Sequence, residues 1–186
     1  MSTPPTSASL SNFRSIFHAS LRAYEKQTKK NLLSHPLSAQ LNSCDTPAAI
    51  LTVLHDQVQE FEQSRSVNER LTRWLDPTVN VLYAFSATLG EGIGLVFSPA
   101  KVIFAGAGVL LLAAKDVRES QDALVDVFER VENFFKRLET YTEVPPTAAM
   151  TDIIVKIMVE VLGILAISTK EVKQGRTISQ ETGREG

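Results

Sequence analysis

Three histidines, one cysteine and a short glycine run are among the residues of this 186-residue chain whose types could support catalysis or ligand binding. His18, His35 and His55 have no H-E-x-x-H or His-x3-His partner. His55 and Asp56 are adjacent, and neighbouring side chains on a helix diverge by about 100°, so they do not converge on one ion. Cys44 is the single cysteine. It excludes an intramolecular disulfide and a cysteine-based zinc site. With no basic residue or histidine close to it in sequence, it reads as a buried or half-buried structural thiol. Gly90-Glu91-Gly92-Ile93-Gly94 follows a helical pattern, not a strand, and no Gly-Lys-Ser/Thr comes after it. It therefore reads as a turn and not as a phosphate cradle. Asp122, Asp126, Glu129 and Glu132 repeat at helical spacing, as a solvated helix face does. No catalytic, cofactor-binding or metal-binding residue is expected, and no small-molecule substrate.

The overall charge excludes less than its distribution suggests. The net charge is -2 and the charged fraction 22%, so nothing global calls for a nucleic-acid partner. Residues 1–44 nevertheless hold five basic groups and one acid, and residues 77–114 hold only Glu91 and Lys101. The N-terminus is rich in Ser, Thr and Pro and lacks the apolar core of a secretory signal, which points to a cytoplasmic protein.

Two features rise above this background. Wound as a helix, Arg22, Lys26, Lys29 and Lys30 centre opposite Phe13, Ile16, Phe17, Leu21 and Tyr24. Such a basic face suits an anionic membrane or a partner surface, each cation near a membrane contributing about 1 kcal/mol. It equally suits the solvated outside of a bundle. The second feature is Val102–Ala114, which has no charged or hydrogen-bonding side chain. As a helix it spans about 20 Å, short of the ~30 Å hydrocarbon core. Leu95, Val96, Phe97, Val102, Ile103, Phe104, Gly106, Gly108, Leu110, Leu111 and Leu112 are candidates for a core segment or for one that inserts into lipid. Lys101 and Lys115 could snorkel at its ends.

The elements that carry these residues are helical throughout. Ser11 or Asn12 is expected to cap a first helix that ends at His35-Pro36. Thr46-Pro47 caps a second. Ser66 with Glu69 reads as a capping box opening a third, restarted or kinked at Asp76-Pro77 and running to about Leu89. From Ser98-Pro99 to Tyr141 no breaker intervenes, so one long helix or two end to end are predicted. Leu124, Phe128, Val131, Phe135 and Leu138 alternate spacings of four and three, a candidate bundle seam. Thr147 or Thr151 starts a last helix to about Val172, with Lys156 and Glu160 expected to pair. The fold class is all-α: a single bundle of about five helices spanning residues 12–174, between disordered segments 1–11 and 175–186. The two most apolar helices, 99–114 and 153–167, are expected to pack together at its centre.

Tyr24-Glu25-Lys26-Gln27-Thr28-Lys29-Lys30, the run from Leu71 to Ser86, the run from Gly94 to Gly106, and Val144-Pro145-Pro146-Thr147 to Glu160 resemble the Goodbye domain of fungal proteins. The resemblance covers roughly residues 13–175. It implies an N-terminal domain in the effector position of a fungal STAND NTPase, a relative of the NLR immune receptors. The NTPase module would be its partner in cis. Related helical domains of the HeLo kind resemble the killer domain of animal necroptosis and act on membranes. By that analogy the resemblance implies self-association, contact with an anionic membrane on activation, and a role in programmed cell death or heterokaryon incompatibility. The alternative is an interaction module that signals by homotypic helix packing without touching lipid. No NTPase or repeat region follows Gly175, so the chain reads either as a fragment of a longer receptor or as a stand-alone effector.

Overall fold

The computed structural model describes residues 7–61, 65–89, 98–115, 119–143 and 147–182. Within these lie α1 (Ser7–Thr28), α2 (Pro36–Asn42), α3 (Pro47–Phe61), α4 (Arg65–Arg73), α5 (Leu75–Leu89), α6 (Pro99–Ala114), α7 (Glu119–Leu138) and α8 (Ala148–Thr182). A 3-10 turn, Glu139–Tyr141, follows α7. Among the described residues there is no strand, so the class is all-α, but the chain is divided more finely than into five helices.

Local chemistry accounts for the finer division. Lys29 adopts a left-handed φ of 58°, and its N–H donates to the Glu25 carbonyl at 2.8 Å. That is the single-bond left-handed helix stop, made here by a lysine where glycine is usual. It ends α1 well before His35. The His35-Pro36 pair therefore opens α2 instead of closing α1: the His35 Nδ1 accepts from the Leu37 N–H at 3.3 Å, and Pro36 takes the first helical position. Asn31 Oδ1 accepts from the N–H groups of Leu33 and Ser34, at 3.0 and 3.2 Å, and shapes the turn between the two helices. Ser11 and Asn12 lie inside α1, not at its cap. Trp74 interrupts α4 and α5 just before Pro77. Ser66 lies inside α4 as bounded, and its side chain falls outside the described residues.

Other caps fall where the sequence places them. Thr46 Oγ1 accepts from the Ala49 N–H at 3.2 Å, and Thr147 Oγ1 from the Met150 N–H at 3.3 Å. Ser98 is the N-cap of α6 without a side-chain bond. The hydroxyl of Ser86, on α5, instead accepts from the Ala100 N–H at 3.2 Å.

α6 occupies the middle of the molecule. All of its 16 residues except Lys101 and Leu112 are buried, which an apolar helix without a polar face requires. It packs mainly on α8, with α3 and α2 on other sides. α8 is not a second central helix, although it packs on α6. Ile153, Ile164 and Ile167 are 55%, 44% and 53% exposed. Its inner face carries Ile154, Met158, Leu162, Leu165 and Ala166. The other large contact of α8 is with α1, which presents Phe13, Phe17, Leu21 and Tyr24 inward. Ile16, expected on that face, is 40% exposed. The Lys173 Nζ donates to the Thr28 carbonyl at 2.5 Å, and Thr169 meets Tyr24 one turn earlier. The two pairs advance together, so α1 and α8 run parallel. On the far side, Trp74 stacks on Phe128 with ring centroids 4.3 Å apart, and Arg70 Nε meets Glu129 Oε1 at 2.9 Å. These contacts hold α4 and its junction with α5 against α7.

Candidate interaction surfaces

The basic cluster sits where α1 ends. Arg22, Lys26, Lys29 and Lys30 are all exposed. Only Arg22 and Lys26 belong to the helix, because Lys29 and Lys30 follow its left-handed stop. A helix C-terminus carries partial negative charge, so cations there are stabilising whatever else they do. Lys173 joins the cluster from α8 by bonding the last carbonyl of α1. Burial pulls the Lys173 ammonium below its ordinary pKa, and the charge of Lys30 pulls it further. His35 is lowered for the same two reasons in the same order, which favours the neutral imidazole that caps α2.

Beneath the cluster lies Tyr24. Burial pushes its phenol up to about 12, against the opposing influence of the Thr169 hydroxyl. Both hydroxyl oxygens are buried, and among the described residues neither has a hydrogen-bond partner.

The apolar segment is core. Val102, Ile103, Phe104, Leu110 and Leu111 are between 0% and 3% exposed. Gly106 and Gly108 are spacers: a Cβ on Gly106 would stand 3.2 Å from Leu165 Cδ1, and one on Gly108 would stand 2.1 Å from Leu37 Cδ2. Leu112 is 40% exposed. Leu95, Val96 and Phe97 lie outside the described residues. Lys101 does not snorkel away from the bundle; its Nζ donates to Asn42 O, the last carbonyl of α2, at 3.2 Å. Among the described residues, no helix is long and apolar enough to cross a membrane.

The α7 seam is buried at Leu124, Phe128 and Phe135 and half-buried at Val131 and Leu138. The acidic strip beside it is only partly solvated. Glu129 pairs with Arg70, and Glu132, 7% exposed, pairs with Lys136 at 2.5 Å. Among the described residues no three His, Cys, Asp or Glu side chains gather as metal ligands would. Cys44 is buried, its Sγ 3.4 Å from the Gln40 carbonyl.

One surface was not read from the sequence. α7 and α8 enclose an open apolar groove of about 620 Å³. Its walls include Phe134 from α7 and Ile153, Ile157 and Ile164 from α8, with Arg130, Lys156 and Glu160 among the lining residues. Phe134 is 43% exposed. Lys156 and Glu160, expected to pair, make no ion pair with each other. The sequence carried one signal of this surface: the apolar residues of α8 nearly encircle its axis, more than a helix packed on one side can bury.

A family model for the fungal STAND N-terminal Goodbye domain matches residues 17–141. The chain belongs to this family. No curated protein and no solved structure matches it. The matched stretch of the Goodbye domain ends before α8, yet α8 covers both α1 and α6 and lines one wall of the groove.

Proposed function

We propose that this Goodbye domain is a non-enzymatic signalling domain in the effector position of a fungal STAND receptor. It is held in cis to an NTPase module and passes on activation by docking with another helical surface. The observation that carries this reading is the α7/α8 groove. Soluble domains seldom leave large side chains such as Phe134, Ile153 and Ile164 exposed side by side without a binding role. The burial of α6 supports the same reading, because lipid insertion by α6 would first require the bundle to open.

A second reading is favoured by the exposed cluster at the end of α1: the domain self-associates on activation, moves from the cytoplasm to an anionic membrane and perturbs it in programmed cell death or heterokaryon incompatibility. Expression in a fungal cell as a fusion to an inducible oligomerisation module, scored for death and localisation, separates the two. Docking predicts that Phe134→Asp silences the signal and that Lys26→Glu with Lys30→Glu leaves it intact. Membrane action predicts the reverse, together with dye leakage from anionic liposomes that weakens as salt screens the cations.

A further inference from the structure

The geometry points to a second copy of this chain as the occupant of the α7/α8 groove, seated with its own α8 antiparallel across a two-fold axis. The inference rests on the docking reading above and names its partner. Ile153, Ile157, Glu160 and Ile164 line the groove, and Met150 and Ile167 extend the same strip of α8 at either end, with spacings alternately of three and four. That is the spacing of a helix seam made to meet another helix. Met150 and Ile157 are half-buried, and the other four are exposed.

The strip is self-complementary about its midpoint. Reversed on itself between residues 158 and 159, it sets Met150 opposite Ile167, Ile153 opposite Ile164, and Ile157 opposite Glu160. An isologous two-fold contact requires this reciprocity: if residue i meets residue j, then j meets i. The carboxylate decides the register. Glu160 lies in the middle of an apolar strip, where covering it with lipid or with an apolar helix would strand a charge. In the two-fold arrangement the residue beside the partner's Ile157 is the partner's Lys156. Each carboxylate then gains a cation from the other copy, and both are available because Lys156 and Glu160 do not pair within one chain.

From Met150 to Ile167 the strip spans about 26 Å. With the facing wall of α7 this is at the small end of stable interfaces. Pairing in isolated domains is therefore weak and concentration-dependent. Domains tethered by an assembled receptor pair far more readily, because tethering raises their effective concentration.

Analytical ultracentrifugation of the full chain from micromolar to millimolar concentration tests this. The wild type is expected to form dimers. Ile153→Asp or Ile164→Asp, at positions 55% and 44% exposed, should weaken dimerisation by roughly tenfold or more. Lys156→Glu alone and Glu160→Lys alone should each weaken it, since both cross-contacts become like-charged. An equimolar mixture of these two variants should recover dimers, because both contacts become opposite again. Ile16→Asp, exposed on α1, should change nothing. Dimers that survive Ile153→Asp, or single charge variants whose mixture fails to recover, would overturn the groove as the pairing surface while leaving self-association standing. A wild-type chain that stays monomeric over the whole range overturns the second copy as occupant. If Phe134→Asp still silences the signal in cells, the docking reading survives with a different partner.

Discussion

Two glycines on different helices show how far single residues differ in what they tolerate. Gly163 of α8 has open space where a Cβ would go. Gly163→Ala should stabilise the domain by about 0.5–1 kcal/mol, the usual gain in a helix interior, seen as a higher denaturant midpoint. Gly108→Ala drives a methyl onto Leu37, itself 4% exposed, and repacking it should cost about 1–3 kcal/mol. Nothing in the local sequence separates the two, because the difference lies in a neighbour distant along the chain. His35 is the other informative single residue. Its pKa is lowered from 6.5 by burial and then by Lys30, so as pH falls the unfolded chain takes up the proton first. Stability should therefore drop as pH falls below about 6.5 and on through the depressed folded value, as protonation also removes the acceptor that caps α2. His35→Asn supplies an uncharged cap, and a urea midpoint that loses its acid slope in this variant checks the assignment.

At the scale of elements, two helix ends are finished by lysines from other helices: Lys173 bonds the last carbonyl of α1 and Lys101 that of α2. Each combines a hydrogen bond with charge at a negative helix end. Lys173→Met and Lys101→Met should each cost about 0.5–1.5 kcal/mol, measured by thermal or denaturant unfolding. Such caps explain what was and was not legible. Helix starts could be read wherever a Thr or Ser carries its own capping oxygen and a proline or apolar run follows, as at Thr46 and Thr147. Helix ends were legible only in part: α5 stops at Leu89 as expected, but the end of α1 could not be read. α1 stops at a left-handed lysine, a conformation the residue type argues against, and its stop is secured from α8, far along the chain. The basic face was legible as composition, but half of it proved to be a turn. Of the groove only one wall was foreshadowed, in the apolar residues that nearly encircle α8; its existence needs the relative placement of α7 and α8, which no periodicity within either helix encodes.

For the whole molecule, the boundary of the family match is not the boundary of the folded unit. A chain cut after Tyr141 retains the matched residues 17–141 but loses the helix that covers α1 and α6. Such a fragment should keep helical circular dichroism, bind a hydrophobic dye and melt without cooperativity, as loosely packed compact states do. A fragment that unfolds as sharply as the full chain would show that α8 is an appendage. The closure between α1 and α8 also has a kinetic side. Thr28 and Lys173 are 145 residues apart in sequence, and contacts of such separation form late because the loop entropy must be met first. During synthesis α6, with scarcely a polar side chain, leaves the ribosome before the helix that will cover it exists. The nascent domain therefore passes through an interval in which its most aggregation-prone surface is bare, and its yield in a cell should depend on chaperones that hold that surface until α8 arrives.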